Sequence, residues 1–139
     1  DVYKRQGRAE GGSCRIRGLE LQEDARMRFE ELSVWRRAAR LSADIYRHFA
    51  QCRDFGFRDQ ITRSGLSIPS NIAEGYERAS DKEKAVFLNY AKGSSGELRT
   101  QIYIGIEIGY ISPEVGHRWK REAQDISKML HALISAMRT

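Results

Sequence analysis

The chain has 139 residues, 40% of them hydrophobic, and 24 Lys/Arg against 19 Asp/Glu give it a formal net charge of +5. That is one domain's worth of sequence with enough apolar material for a core, which excludes the charge-rich, apolar-poor regime in which chains stay unfolded. No apolar run reaches the ~20 residues of a membrane span and no signal core follows the basic start, so a cytoplasmic protein without membrane contact is predicted.

Residues 1–28 read as a disordered basic tail. The opening Asp1-Val-Tyr-Lys-Arg-Gln6 looks like a translated adapter and carries no functional weight, and Gly7 to Gly18 is rich in Gly and Arg without apolar period. Seven Lys/Arg against five Asp/Glu give the tail +2, so most of the basic surplus lies in residues 29–139. Cys14 and Cys52 form no CxxC pair and have no histidine cluster beside them, so both are expected as free thiols, with neither a disulfide framework nor a zinc site.

From residue 29 onward apolar residues recur every three or four positions, which predicts an all-α protein. The first helix should span about 33–50. Val34, Ala38, Leu41, Ile45 and Phe49 make one stripe, with Arg36, Arg40 and Arg47 opposite it. A flanking face of Trp35, Ser42 and Tyr46 suits a subunit contact. The second helix should span about 55–76, with Ile61, Gly65, Ile68, Ile72 and Tyr76 inward and a polar stripe of Gln60, Arg63, Ser67, Asn71 and Glu74 beside them.

That helix contains Pro69. A proline inside a helix loses one backbone hydrogen bond and crowds the carbonyl four residues back, costing about 3 kcal/mol. The residue four back is Gly65, which has no side chain to resist a bend. A kinked but continuous helix, with Ser67 satisfying freed backbone groups, is therefore favoured over a break in which Asn71 and Glu74 cap a new helix.

The third helix should span about 81–109, started by Ser80 as N-cap with Glu83 as its capping-box partner. Phe87, Ala91, Ser94, Leu98, Ile102 and Gly105 form its predicted core stripe, and the small residues 93–96 are expected to admit a neighbouring backbone closely. The fourth should span about 113–138, with Ser112 as N-cap and Pro113 at its first position. Val115, Trp119, Ile126, Leu130, Leu133 and Met137 form its seam, and Lys120, Arg121, Lys128 and Arg138 its outer face. Short links between such helices predict an antiparallel up-down-up-down four-helix bundle with a flexible N-terminal tail.

Ser67-Ile-Pro-Ser-Asn-Ile-Ala-Glu-Gly75, Trp35 in a Val-Trp-x-x-Ala setting, Gln60 in Asp-Gln-Ile and Gly93-Ser-Ser-Gly-Glu-Leu-Arg-Thr-Gln101 carry a family likeness. Together they resemble the bacterial intervening-sequence proteins, encoded inside insertions in large-subunit ribosomal RNA genes, and the resemblance covers residues 29–139. It implies an antiparallel four-helix bundle that assembles as a homopentamer, with no established enzymatic activity. More distantly, the chain is similar to the accessory protein of diversity-generating retroelements, a basic pentamer that binds reverse transcriptase and nucleic acid.

The polar stripe of Gln60, Arg63, Ser67, Asn71 and Glu74, with Glu97 opposite, is read as a hydrogen-bonded network that fixes helix register. No nucleophile-base arrangement accompanies it, and His48, His117 and His131 share no metal-binding spacing. Neither catalysis, a cofactor nor a metal is expected. Arg36, Arg37 and Arg40 with Lys120, Arg121 and Lys128 lie opposite their apolar seams and are the candidate nucleic-acid contacts, which a ring would repeat around its axis. Trp35, Tyr46 and Tyr103 could stack bases, but aromatics at helical spacing more often serve core or interface, and they are assigned to subunit contacts. The sequence thus predicts a non-catalytic homopentamer that binds structured RNA without strong sequence preference. The alternative is a scaffold that docks a reverse transcriptase or another enzyme.

Overall fold

The computed structural model describes residues 27–137. The tail predicted for residues 1–28 therefore falls almost wholly outside the described residues, as do Cys14 and Arg138. A short 3-10 turn, Phe29–Glu31, leads into α1 (Ser33–His48), α2 (Phe55–Tyr76), α3 (Asp81–Glu107) and α4 (Pro113–Met137). Each helix packs on its neighbours in the chain and α1 closes against α4, which makes an all-α antiparallel up-down-up-down bundle without strands among the described residues. The closing seam between α1 and α4 is the sparsest of the four. With 16 residues against 25, α1 is shorter than α4 by roughly 13 Å at ~1.5 Å per residue.

Local chemistry sets the helix ends. Asp54 caps α2 by accepting from the Phe57 N–H (3.1 Å), and Ser80 caps α3 by accepting from the Glu83 N–H (3.2 Å). Ser112 does the same for α4, accepting from the Val115 N–H at 3.2 Å. Gly109 takes φ +81°, where glycine alone is unstrained, and the Tyr110 N–H then reaches back to the Gly105 carbonyl (2.9 Å) to turn the chain into α4.

The core runs the length of the bundle. Ile45, Ile61, Ile68, Ile72, Leu88, Leu98, Ile102, Ile126 and Leu130 are fully buried, each such side chain contributing about 2 kcal/mol over exposure to water. Along α3 the buried stripe is Ala85, Leu88, Ala91, Ser95, Leu98, Ile102 and Gly105. The apolar pattern points Phe87 and Ser94 inward, but the structure buries Leu88 and Ser95, one residue later in each case. On α4, Gly116 is buried and Val115 packs against the core half-buried.

α2 continues without a break through Pro69, which is itself buried. Ser67 does not turn to the freed Gly65 carbonyl; its hydroxyl bonds to the Ser94 hydroxyl on α3 (2.9 Å) instead. The close approaches of the bundle also lie elsewhere than expected. A Cβ on Gly93 would meet nothing within 4 Å, whereas one on Gly75 would come within 3.0 Å of the Phe87 Cβ and 3.2 Å of the Lys84 carbonyl. Gly105 and Gly116 are tighter still, against Ile111 and Ile106.

Candidate nucleic-acid interface

Charge is distributed unevenly between the two halves of the bundle. α1 and α4 together carry eight Lys/Arg against four Asp/Glu, while α2 and α3 carry six of each. The surplus of four positive charges therefore sits on the α1/α4 layer.

Within that layer the six candidate contacts part company. Arg37 does not face solvent. Its Nε and Nη2 hold both oxygens of Glu122 on α4 (2.9 and 2.6 Å), Nη2 also reaches Asp125 (3.1 Å), and the side chain is 20% exposed. The charge-assisted bonds to Glu122, set against the cost of burial, push the guanidinium pKa further up and hold it charged. Arg37 is a clasp across the α1/α4 seam, with its charge already matched.

Arg36 is exposed, and its Nε donates to the Glu30 carbonyl at 2.8 Å. Arg40 and Arg121 line one groove between α1 and α4, of about 380 Å³, together with Arg118, which is not among the residues singled out from the sequence. Its signal is the three-residue spacing to Arg121, which places both on one side of α4. Lys128 is exposed two turns beyond Arg121. Lys120 turns the other way, toward α3, with Nζ 5.5 Å from the centre of the Tyr103 ring.

One aromatic residue, Trp119, lines the groove. Trp119 is 3% exposed, His48 meets it edge-on at 5.1 Å, and Phe49 lies behind. The His48 Nε2–H donates to the Tyr110 carbonyl (3.0 Å), and the Tyr110 hydroxyl donates to Asp54 (2.8 Å). The Phe57 N–H, and after it the Tyr110 hydroxyl, hold the Asp54 carboxyl below its ordinary pKa, while the bond to Asp54 raises that of Tyr110.

The polar stripe is partly assembled. Asn71 Nδ2 donates to the Ser67 carbonyl (2.8 Å) and hydroxyl (2.9 Å), Ser67 meets Ser94, and Ser64 donates to Glu97 at 3.4 Å. The Ser67–Ser94 and Ser64–Glu97 rungs bridge α2 and α3, and Asn71 braces Ser67 within α2. Glu74 instead accepts from Arg78 (2.6 Å) at the surface, and Gln60 and Arg63 are exposed outside the rungs. Trp35 is half-buried with its ring 5.3 Å from Phe29, and Tyr46 is 46% exposed beside Leu66 at an α1/α2 groove. Among the described residues no group of three or more His, Cys, Asp or Glu is placed to hold a metal ion, and no helix is long and apolar enough to cross a membrane.

Fold and surface together define a small helical-bundle protein with one basic layer. The chain belongs to the 23S rRNA-intervening sequence protein family, whose model matches residues 30–132. It is similar to a crystal structure from Bacteroides thetaiotaomicron, described as a protein with unknown function from the S23 ribosomal protein family. The identity is 26% and the TM-score 0.67, over 76% of this chain and 99% of that one. No curated protein matches the chain.

Proposed function

We propose that this chain is a non-catalytic, cytoplasmic, homopentameric protein that binds structured RNA through the α1/α4 layer without strong sequence preference. The observation that carries this reading is the charge surplus confined to α1 and α4, with Arg36, Arg40, Arg118, Arg121 and Lys128 on that side. Phosphate contacts are individually weak and add, so repetition around a ring turns a modest charge into useful affinity. Of the three aromatics assigned to subunit contacts, Tyr46, beside Leu66, and Tyr103 are exposed, whereas Trp35 already packs on Phe29.

One observation favours a second reading, a scaffold that docks a reverse transcriptase or another protein. The outer face of α3 exposes Val86, Tyr90 and Ile104, and Ile108 follows at its C-cap, each at 43% or more. Light-scattering mass and RNA affinity across a salt series separate the two. A pentamer whose affinity falls steeply with salt, and falls further when Arg36, Arg40 and Arg121 become alanine, supports the RNA reading. A pentamer indifferent to RNA transfers support to the scaffold, and a monomer sinks the assembly.

A further inference from the structure

The α1/α4 groove is more than a patch of positive charge. Arg118 and Arg121 line it and make no ion pair among the described residues, while Arg37 holds both oxygens of Glu122 and one of Asp125. Asp44 lines it too, with Oδ1 held by Arg47 (2.7 Å) and its second oxygen open to a further donor. Trp119, 3% exposed, forms part of the wall, and its indole N–H is buried without a hydrogen-bond partner.

This combination selects among anions. Bare phosphate would use the arginines and find a carboxylate beside it. A nucleotide offers phosphate oxygens to two guanidinium groups and, a few ångströms away, ribose hydroxyls or base N–H groups that a carboxylate accepts. The groove's volume of about 380 Å³ accommodates one such unit.

We propose that the α1/α4 groove is a single-nucleotide subsite, with the phosphate on Arg118 and Arg121 and the sugar or base donors on Asp44. This rests on the polyanion-binding reading and narrows it from a surface to one pocket. The same chemistry arises from a free nucleotide or from one residue of an RNA strand.

Trp119 provides the readout. Trp35→Phe in the full chain leaves it as the remaining tryptophan of the two. Its fluorescence is followed while the protein is titrated with guanosine 5′-monophosphate, with inorganic phosphate at matched ionic strength, and with an end-labelled oligoribonucleotide of about six nucleotides whose anisotropy is read in parallel. Nucleotide and oligonucleotide should each produce a saturable change, and phosphate should bind about tenfold more weakly than the nucleotide. Arg118→Ala and Arg121→Ala should each weaken nucleotide binding about tenfold, the scale of one charge-assisted hydrogen bond, and Lys82→Ala, an exposed α3 position outside the layer, by less than about twofold. Thermal melts by circular dichroism check that each variant is folded.

Saturation of the labelled RNA with no change at Trp119, or equal losses in the Arg118, Arg121 and Lys82 variants, overturns the subsite and leaves RNA binding standing. A change with the mononucleotide but no binding of RNA keeps the subsite, identifies a free nucleotide as its ligand and sinks the RNA reading. No response to any of the three removes both.

Discussion

Arg37→Ala lowers the stability of the bundle by about 2 kcal/mol and leaves the RNA affinity of the folded protein within about twofold of wild type. The substitution strands Glu122 and Asp125, which lie three residues apart on the same side of α4 and repel once the guanidinium is gone. Breaking a fully buried ion pair costs about 3–5 kcal/mol. Here Glu122 is 31% and Asp125 54% exposed, so water recovers part of the loss. Urea unfolding measures the stability and fluorescence anisotropy of labelled RNA the affinity. Unchanged stability with impaired RNA affinity would make Arg37 a phosphate ligand after all and contradict its role as a clasp.

Gly116→Val destabilises by about 3 kcal/mol, whereas Gly93→Ala stabilises by about 0.5–1 kcal/mol. A Cβ on Gly116 would lie 2.5 Å from the Ile106 Cγ1 and closer still to its Cδ1, with the Ile111 Cγ2 at 3.4 Å. Ile106 is a half-buried branched side chain, so it can swing aside for one methyl but not for the two further carbons of valine. At Gly93 the added methyl meets open space, and the gain is the backbone entropy that glycine forfeits in a helix. Paired urea titrations check both signs at once. A neutral Gly116→Val would mean that the α3/α4 turn packs more loosely than the structure has it.

The bundle is legible in the sequence because its signals are local. Apolar spacing of three and four, Ser80 and Ser112 before their helices, and Pro113 and Gly109 at the last turn each act within a few residues. Pattern alone slips by one residue on α3, where Phe87 adjoins Leu88 and Ser94 adjoins Ser95. Either member of each pair satisfies the period, and the choice falls to what the facing helices accept. The Ser95 hydroxyl donates to the Ala123 carbonyl on α4 at 2.8 Å, a bond that no pattern along α3 contains.

The arginines escape pattern in the same way. Arg36 and Arg37 are equivalent in composition, and only the acidic pair Glu122 and Asp125 on α4 decides which of them is taken up in the seam. The three-residue spacing of those acids is readable along the chain, but the helix they face is not. By spacing, Trp119 is an ordinary core position. Its unpartnered N–H emerges only once His48, Phe49 and the groove surround it.

On the proposed reading the α1/α4 layer, rather than the net charge of the chain, meets the polyanion. The most direct test is the slope of log affinity for a structured RNA against log salt, measured for the full chain, for Arg36/Arg40/Arg121→Ala and for Arg63/Lys82/Arg99→Ala. Both triple variants remove three positive charges, but only the first takes them from α1 and α4. The first should flatten the slope by nearly one for each phosphate left without its arginine, and the second should leave it close to wild type. Equal flattening in both would mean that the whole surface binds RNA and would contradict the assignment to one layer.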